Sequence, residues 1–243
     1  MNLVEWPRRV AALAQLRVAD PATPRLSRGD DHHLRTVLRA RPDEEFVVTD
    51  GRGTWAIATA GDEGVMRVSP VYVDPPIAAT TLYLVPLKGD RSEWAIAKVT
   101  ELGVARIVPL LAQRQVVKFK GDARDRVLER WRRIAAEACG QARRTHDVVI
   151  DDPVKVRDVP VNVAVADLSG EGDWRGVTDV AVGPEGGWAS EEWQSERRRL
   201  SLGPTVLRAE TAGVVAASLL AFTNGGWGFA AGGLGLGNDE GTT

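Results

Sequence analysis

Apolar and polar residues alternate in short runs over the first third of the chain. "EEFVVTD", "TWAIATA" and "GVMRVSPVYV" have the two-residue period and β-branched content of strands, and turns such as "DGRGT" separate them. Ahead of them, "SRGDDHHLRTVLR" predicts a short helix starting near Ser27 or Asp30. Residues 1–74 therefore read as a small β-rich domain, and "DPPIAAT" around Pro75 and Pro76 as the linker that closes it.

Past the linker the period changes. "TLYLVPL" is apolar throughout, and "DRSEWAIAKVTELG" reads as a helix stopped at Gly103. "ARIVPLL" is a further strand. A long helix follows from about Asp122 to Arg143, with Val127, Trp131, Ile134, Ala138 and Ala142 along one face. Next come "VNVAVAD", "TDVAVG", a helix over "SEEWQSERRRL", a short "SLGPTVLR" and a last helix from "AETAGVVAASLLAF". Strands apolar on both faces, alternating with helices, predict an α/β domain over residues 75–230 whose parallel sheet is flanked by helices. Residues 231–243 read as a flexible tail.

Composition narrows the setting. The 243 residues suffice for one large or two small domains with sizeable cores, and 26% charged residues is ordinary for a globular enzyme. A single cysteine, Cys139, excludes an internal disulfide and fits a reducing compartment. The three histidines (His32, His33, His146) do not make a metal site, so no metal is expected. "MNLVEWPRRVAALAQL" has no signal-type apolar core, and "AGVVAASLLAF" is too short to span a bilayer. The expected location is cytoplasmic, without a membrane.

The net charge of −2 conceals an asymmetry. Residues 88–146 carry 14 Lys and Arg against 7 Asp and Glu, whereas residues 147–243 carry 7 against 15. The first 40 residues are positive again, 7 against 4. Such a chain can present a basic face to phosphates while being acidic as a whole.

The stretch "VAVGPEGGWASEEW" carries the clearest chemical signal. An apolar strand leaves through Gly183-Pro184-Glu185-Gly186-Gly187, where glycine costs backbone entropy unless something comes close to the main chain. "SLGPTVLRAETA" has the same character, with Gly203 and Pro204 ahead of a helix. Two glycine-bearing strand exits can clamp one flat ligand, or each can be a tight turn and nothing more. No GxxxxGK[ST] is present, and the "GGLGLG" of the tail lacks a following helix.

Together, "KGDRSEWAIAKVTELGV", "EACGQARR", "VGPEGGW" and "LGPTVLRAETA" resemble the signature blocks of the small-subunit ribosomal RNA uridine-N3 methyltransferases, of the knotted SPOUT class. The blocks stand in the family's order over residues 82–222, and "HLRTVLR" resembles its N-terminal RNA-binding domain. Residues 1–20 lack the family's aromatic-rich opening, and Asp43 stands where a turn glycine is usual. The resemblance implies a PUA-like first domain, a trefoil knot in the second, S-adenosylmethionine as cofactor, a homodimer, and 16S rRNA or the assembled small ribosomal subunit as partner.

It also implies a site. Cofactor contacts fall to Gly183, Pro184, Glu185, Gly186, Gly187, Leu202, Gly203, Leu207, Arg208, Thr211 and Ala212. Methylation at N3 of uridine needs alignment with the sulfonium methyl and stabilisation of charge on O2 and O4. Arg114 and Arg143 are the candidates for that stabilisation. Glu185 is either a base or an orderer of its loop, and Arg208 either helps or pairs with Glu210 or Glu185. RNA contacts are expected from His33, Arg35, Arg39, Lys118, Lys120, Arg130, Arg133, Gln141 and Arg144, although an arginine run on a helix is also what a solvated face looks like. A SPOUT enzyme making a 2′-O-methyl or another base modification, a non-catalytic RNA-binding or ribosome-assembly protein, and a Rossmann oxidoreductase are the competing readings. The last lacks GxGxxG after its first strand.

Overall fold

The computed structural model describes residues 5–61, 64–117, 121–193 and 196–225, with the backbone alone for Asp122. Lys118, Lys120 and the tail at 231–243 lie outside these described residues.

The first sheet is built from β1 (Gln15–Arg17), β2 (Glu45–Thr49), β3 (Thr54–Gly61), β4 (Gly64–Arg67) and β5 (Tyr72–Val73). β1 to β4 lie in that spatial order and β5 pairs with β3; every pairing is antiparallel except that of β1 with β2. Two short elements escaped the sequence reading, β1 and the helix α1 (Trp6–Ala11), because three and six residues are too few to display a period. The helix α2 (Arg28–His32) starts where expected, with the Ser27 hydroxyl accepting the Asp30 N–H at 3.1 Å, and runs into one wide turn at His33–Val37. Leu16, Leu34, Phe46 and Val48 are buried in one core beneath it.

The second unit contains β6 (Thr81–Leu84), α3 (Arg91–Glu101), β7 (Arg106–Leu111), α4 (Gly121–Gln141), β8 (Val149–Ile150), β9 (Val154–Lys155), β10 (Ala164–Glu171), β11 (Asp179–Val182), β12 (Arg199–Leu200) and α5 (Ala209–Thr223). The strands run parallel in the order β12-β10-β11-β6-β7-β8, with β9 along the end of β7. This is the expected parallel sheet, and among the described residues its α-helices cover one face. There α3 lies between α4 and α5, and Leu82, Ile96, Val99, Leu128, Trp131 and Leu220 share the core. The other face is covered by residues 154–163, which hold β9 and one 3-10 turn at Val156–Asp158, and by Trp193, in one core with Val85, Leu110 and Val165.

The helix expected over "SEEWQSERRRL" is not formed in the described part of that segment, which is a run of turns ending in β12. Its side chains serve contacts that a helix would break. The Glu192 carboxylate accepts the backbone N–H groups of Ala189 at 3.1 Å and Gln113 at 2.5 Å. Arg197 donates to the carbonyls of Val159 and Pro160, Arg198 to that of Asp173, and Arg199 to the Asp167 carboxylate. Three consecutive arginines thus fasten one loop to three places.

Candidate active site

All elements of the candidate site meet at the carboxyl edge of the parallel sheet, where open α/β sheets usually hold their ligands. β11 and β12 end there, and the segments that follow them, with Ala166, Asp167 and Leu168 of β10, line a cavity of about 340 Å³. Gly183, Pro184, Glu185, Gly187, Leu202, Gly203, Leu207 and Ala212 line it. These are eight of the residues expected to hold the cofactor. Gly186, Arg208 and Thr211 are not among the lining residues.

The glycines have distinct causes. At Gly183 a Cβ would stand 2.9 Å from the Trp188 ring, so the close neighbour is an indole, not a second strand. Trp188 is held there by its Nε1–H, which donates to the Ala166 carbonyl at 3.1 Å, and by edge contact with Trp193 at 5.0 Å. Gly187 has φ +65° and closes the turn by donating its N–H to the Pro184 carbonyl at 2.9 Å; Gly203 has φ +125°. Trp188 lines the cavity and Trp193 is core, which assigns the two tryptophans different jobs.

Charges surround this loop. Arg114, just beyond β7, donates to the Gly186 carbonyl at 3.1 Å. The ion-pair partner of Glu185 is Arg91, at 2.6 Å, and not Arg208; the same guanidinium lies 3.7 Å from Glu210. Arg208 occupies the N-cap position of α5 in extended conformation and is exposed. Arg91 was missed because the first residue of a predicted helix gives no hint of which loop it will reach.

Also unforeseen were Ala166, Asp167 and Leu168, which line the cavity where β10 bulges. The register of β10 on β12 shifts between Ala166 and Glu171. Gly170 allows this, because a Cβ there would fall on the Leu200 backbone. Asp167 accepts from the Ser169 N–H at 2.9 Å and the Ser169 hydroxyl at 2.7 Å, and pairs with Arg199. Burial pushes its carboxyl pKa up, but those hydrogen bonds and the Arg199 charge outweigh it and leave the pKa below the ordinary value.

Arg143 does not line the cavity. It sits just after α4 with φ +56°, and its guanidinium donates to the carbonyls of Gly140 at 3.1 Å and Ala12 at 2.6 Å. Arg144 is likewise spent on main chain, donating to the carbonyls of Thr100 and Val104 at 2.5 and 3.1 Å. Both belong to the junction of the two sheets. There Gly53 donates to the Thr145 carbonyl at 3.0 Å and Asp147 to the Gly51 carbonyl at 2.9 Å.

Of the expected RNA contacts, His33, Arg39 and Gln141 are exposed. Arg35 pairs with Asp31 at 2.8 Å, Arg130 with Glu93 at 2.6 Å and Arg133 with Glu137 at 3.9 Å. Exposed pairs of this kind are weak and open readily to a phosphate. Among the described residues, no three His, Cys, Asp or Glu are grouped to hold a metal, and no helix is long and apolar enough to cross a membrane.

Residues 73–221 match the family model of the RNA methyltransferase domain, and residues 28–59 that of the RNA methyltransferase PUA domain. The ribosomal RNA small subunit methyltransferase E of Mycobacterium bovis is 34% identical over 228 residues, covering 82% of this chain and 86% of that protein. The protein of the same name from Aquifex aeolicus is 30% identical, covering 80% and 92%. A Legionella pneumophila protein described as a methyltransferase, solved with the cofactor SAM bound, superposes with a TM-score of 0.74 at 26% identity, covering 86% of this chain and 96% of that one.

Proposed function

Because the chain belongs to the ribosomal RNA small subunit methyltransferase E family, we propose that its edge cavity holds S-adenosylmethionine (SAM) and that its product is N3-methyluridine in 16S rRNA. The chain is a SAM-dependent methyltransferase of small-subunit ribosomal RNA. The observation that carries the site is the shared cavity of the two glycine loops, with Arg114 seated on one of them.

When bound, the cofactor supplies a methyl group already activated by the sulfonium charge. The chain must present the uracil and manage its charge. N3 attacks only after losing its proton, and the negative charge then spreads onto O2 and O4. Arg114 is the charge-stabilising residue in this reading: it is exposed, next to Gly186, and offers forked donors. Glu185 orders the loop through Arg91 and, as a carboxylate lining the cavity, is the candidate to take the proton, directly or through water. Arg143 is given no step in this reading, because its guanidinium is spent on the Gly140 and Ala12 carbonyls.

The knot and the homodimer belong to the same proposal. The loops after β11 and β12 jointly wall the cavity and the second leads into α5, an arrangement consistent with a threaded chain. Phe222 on α5 and Trp94 on the neighbouring α3 are 45% and 47% exposed, two apolar side chains that a second copy would cover. RNA would meet His33, Arg39 and Gln141, with Arg35, Arg130 and Arg133 released from their surface pairs, and the cytoplasm is where such a substrate lies.

Labelled SAM with unmodified small subunits, followed by nucleoside digestion and mass analysis, tests the reading. N3-methyluridine is the expected product. A 2′-O-methyl nucleoside would keep the cofactor site and overturn the N3 chemistry.

A further inference from the structure

Charged groups stand at two places on the cavity. At one, the lining residue Glu185 pairs with Arg91, which also lies 3.7 Å from Glu210, and Arg114 sits beside Gly186, so two guanidiniums stand with two carboxylates, while Glu210 Oε2 is buried without a hydrogen-bond partner. At the other, Asp167 and Arg199 form a one-to-one pair. In the cofactor, the sulfonium and the zwitterionic amino-acid group carry the charge, whereas the ribose and base are neutral.

Asp167 is built into its position. The β10 bulge turns it out of the sheet and into the cavity wall, which requires glycine at position 170. One carboxylate oxygen takes both the Ser169 N–H and the Ser169 hydroxyl, and the other takes Arg199. An ionised carboxylate has about four acceptor positions, so one remains on the oxygen that Arg199 uses. An ammonium is a poor ligand for it, since the guanidinium is already there. A neutral hydroxyl donor is a good one.

We propose that Asp167, held by Ser169 and Arg199, reads a ribose hydroxyl of the cofactor. This rests on the cofactor reading of the cavity. An acidic residue at the end of a parallel strand serves the same purpose in dinucleotide folds, and the chemistry needs only a fixed, ionised acceptor. Arg199 acts as a positioning residue for it. The adenosine then lies over β10 and β12, and the sulfonium lies toward Glu185 and Arg114.

The test is calorimetric binding of S-adenosylhomocysteine and its 2′-deoxy and 3′-deoxy forms to the full chain and to Asp167→Ala. The wild type should lose about ten-fold or more in affinity for at least one deoxy ligand. In Asp167→Ala the parent ligand should weaken by a similar factor and the deoxy penalty should vanish. A purely structural role would weaken all three ligands alike and leave the penalty in place. Equal binding of the three ligands by the wild type overturns this inference alone, and that measurement stands even if the variant folds poorly. No binding of S-adenosylhomocysteine by the wild type overturns the cofactor reading and this inference with it.

Discussion

Arg9 and Asp74 meet at 2.6 Å between the two sheets, 65 residues apart and both buried. The guanidinium also lies 5.0 Å from the Trp55 ring and donates to the Arg143 carbonyl, while Asp74 accepts from the Thr145 hydroxyl at 2.7 Å and the Trp55 indole at 3.3 Å. One carboxylate therefore ties the linker to α1, β3 and the turn after α4. These bonds fasten the first sheet to the second at this junction.

Removing half of this pair leaves a buried charge without its partner. Asp74→Asn should lower stability by about 3–5 kcal/mol. Arg9→Met combined with Asp74→Asn should cost less than the sum of the single changes. Urea unfolding of the three variants measures this, and strict additivity would mean that the pair carries no coupling.

The same carboxylate sets an acid limit. Burial raises the Asp74 pKa, but the bonds from Thr145, Arg9 and Trp55 outweigh it, so the folded value lies below the ordinary 3.8. A lowered carboxylate pKa contributes stability that is fully present above the unfolded value and is lost as pH falls through the folded one. The Asp74 contribution should thus be flat from neutral pH down to about 4–5 and decline below that. In Asp74→Asn the decline should be shallower, read from melting temperatures across the acid range.

Gly183→Ala tests why the loop is glycine-rich. The new methyl would sit 2.9 Å from the Trp188 ring, and the indole cannot retreat without giving up its bond to Ala166. Overpacking of this kind costs about 1–3 kcal/mol. Cofactor affinity should fall with it, because Trp188 lines the cavity. Gly186→Ala is the control: its methyl would find Arg114 at an ordinary 3.6 Å. Calorimetry that shows equal loss in both variants would disprove the assignment.

Periodicity carried the sequence reading wherever an element was long or uniformly apolar. α4 and its Trp131 face, α5, and the strands β6, β7 and β11 are legible because burial on one face or on both leaves a pattern in a single stretch of chain. The segment 190–200 misled because its glutamates and arginines are common in helices, and only the folded sheet reveals that Arg197, Arg198 and Arg199 point to three separate acceptors. Asp167 was invisible for a similar reason, since a bulge is defined by the partner strand. The glycine loops were legible because they concentrate a backbone requirement in five adjacent residues.

Arg114 and Arg143 looked alike in the sequence, each closing a block and each offering a charged fork, and the structure separates them. Arg114 is exposed beside the Gly186 carbonyl, whereas Arg143 spends its guanidinium on Gly140 and Ala12. Arg114→Ala should lower kcat by about 10²–10³, the usual loss for one charge-stabilising donor, with cofactor affinity and melting temperature little changed. Arg114→Lys should recover only part of this, because an ammonium lacks the planar fork. Arg143→Ala should do the opposite. It removes the guanidinium bonds to the Gly140 and Ala12 carbonyls and leaves the Ala12 carbonyl without that donor, so stability should fall by about 1–3 kcal/mol while kcat per folded molecule holds. Parallel single-turnover and denaturation measurements decide between them. A large fall in kcat for a fully folded Arg143 variant would return that residue to the chemistry, with a second copy of the chain the means of bringing it there.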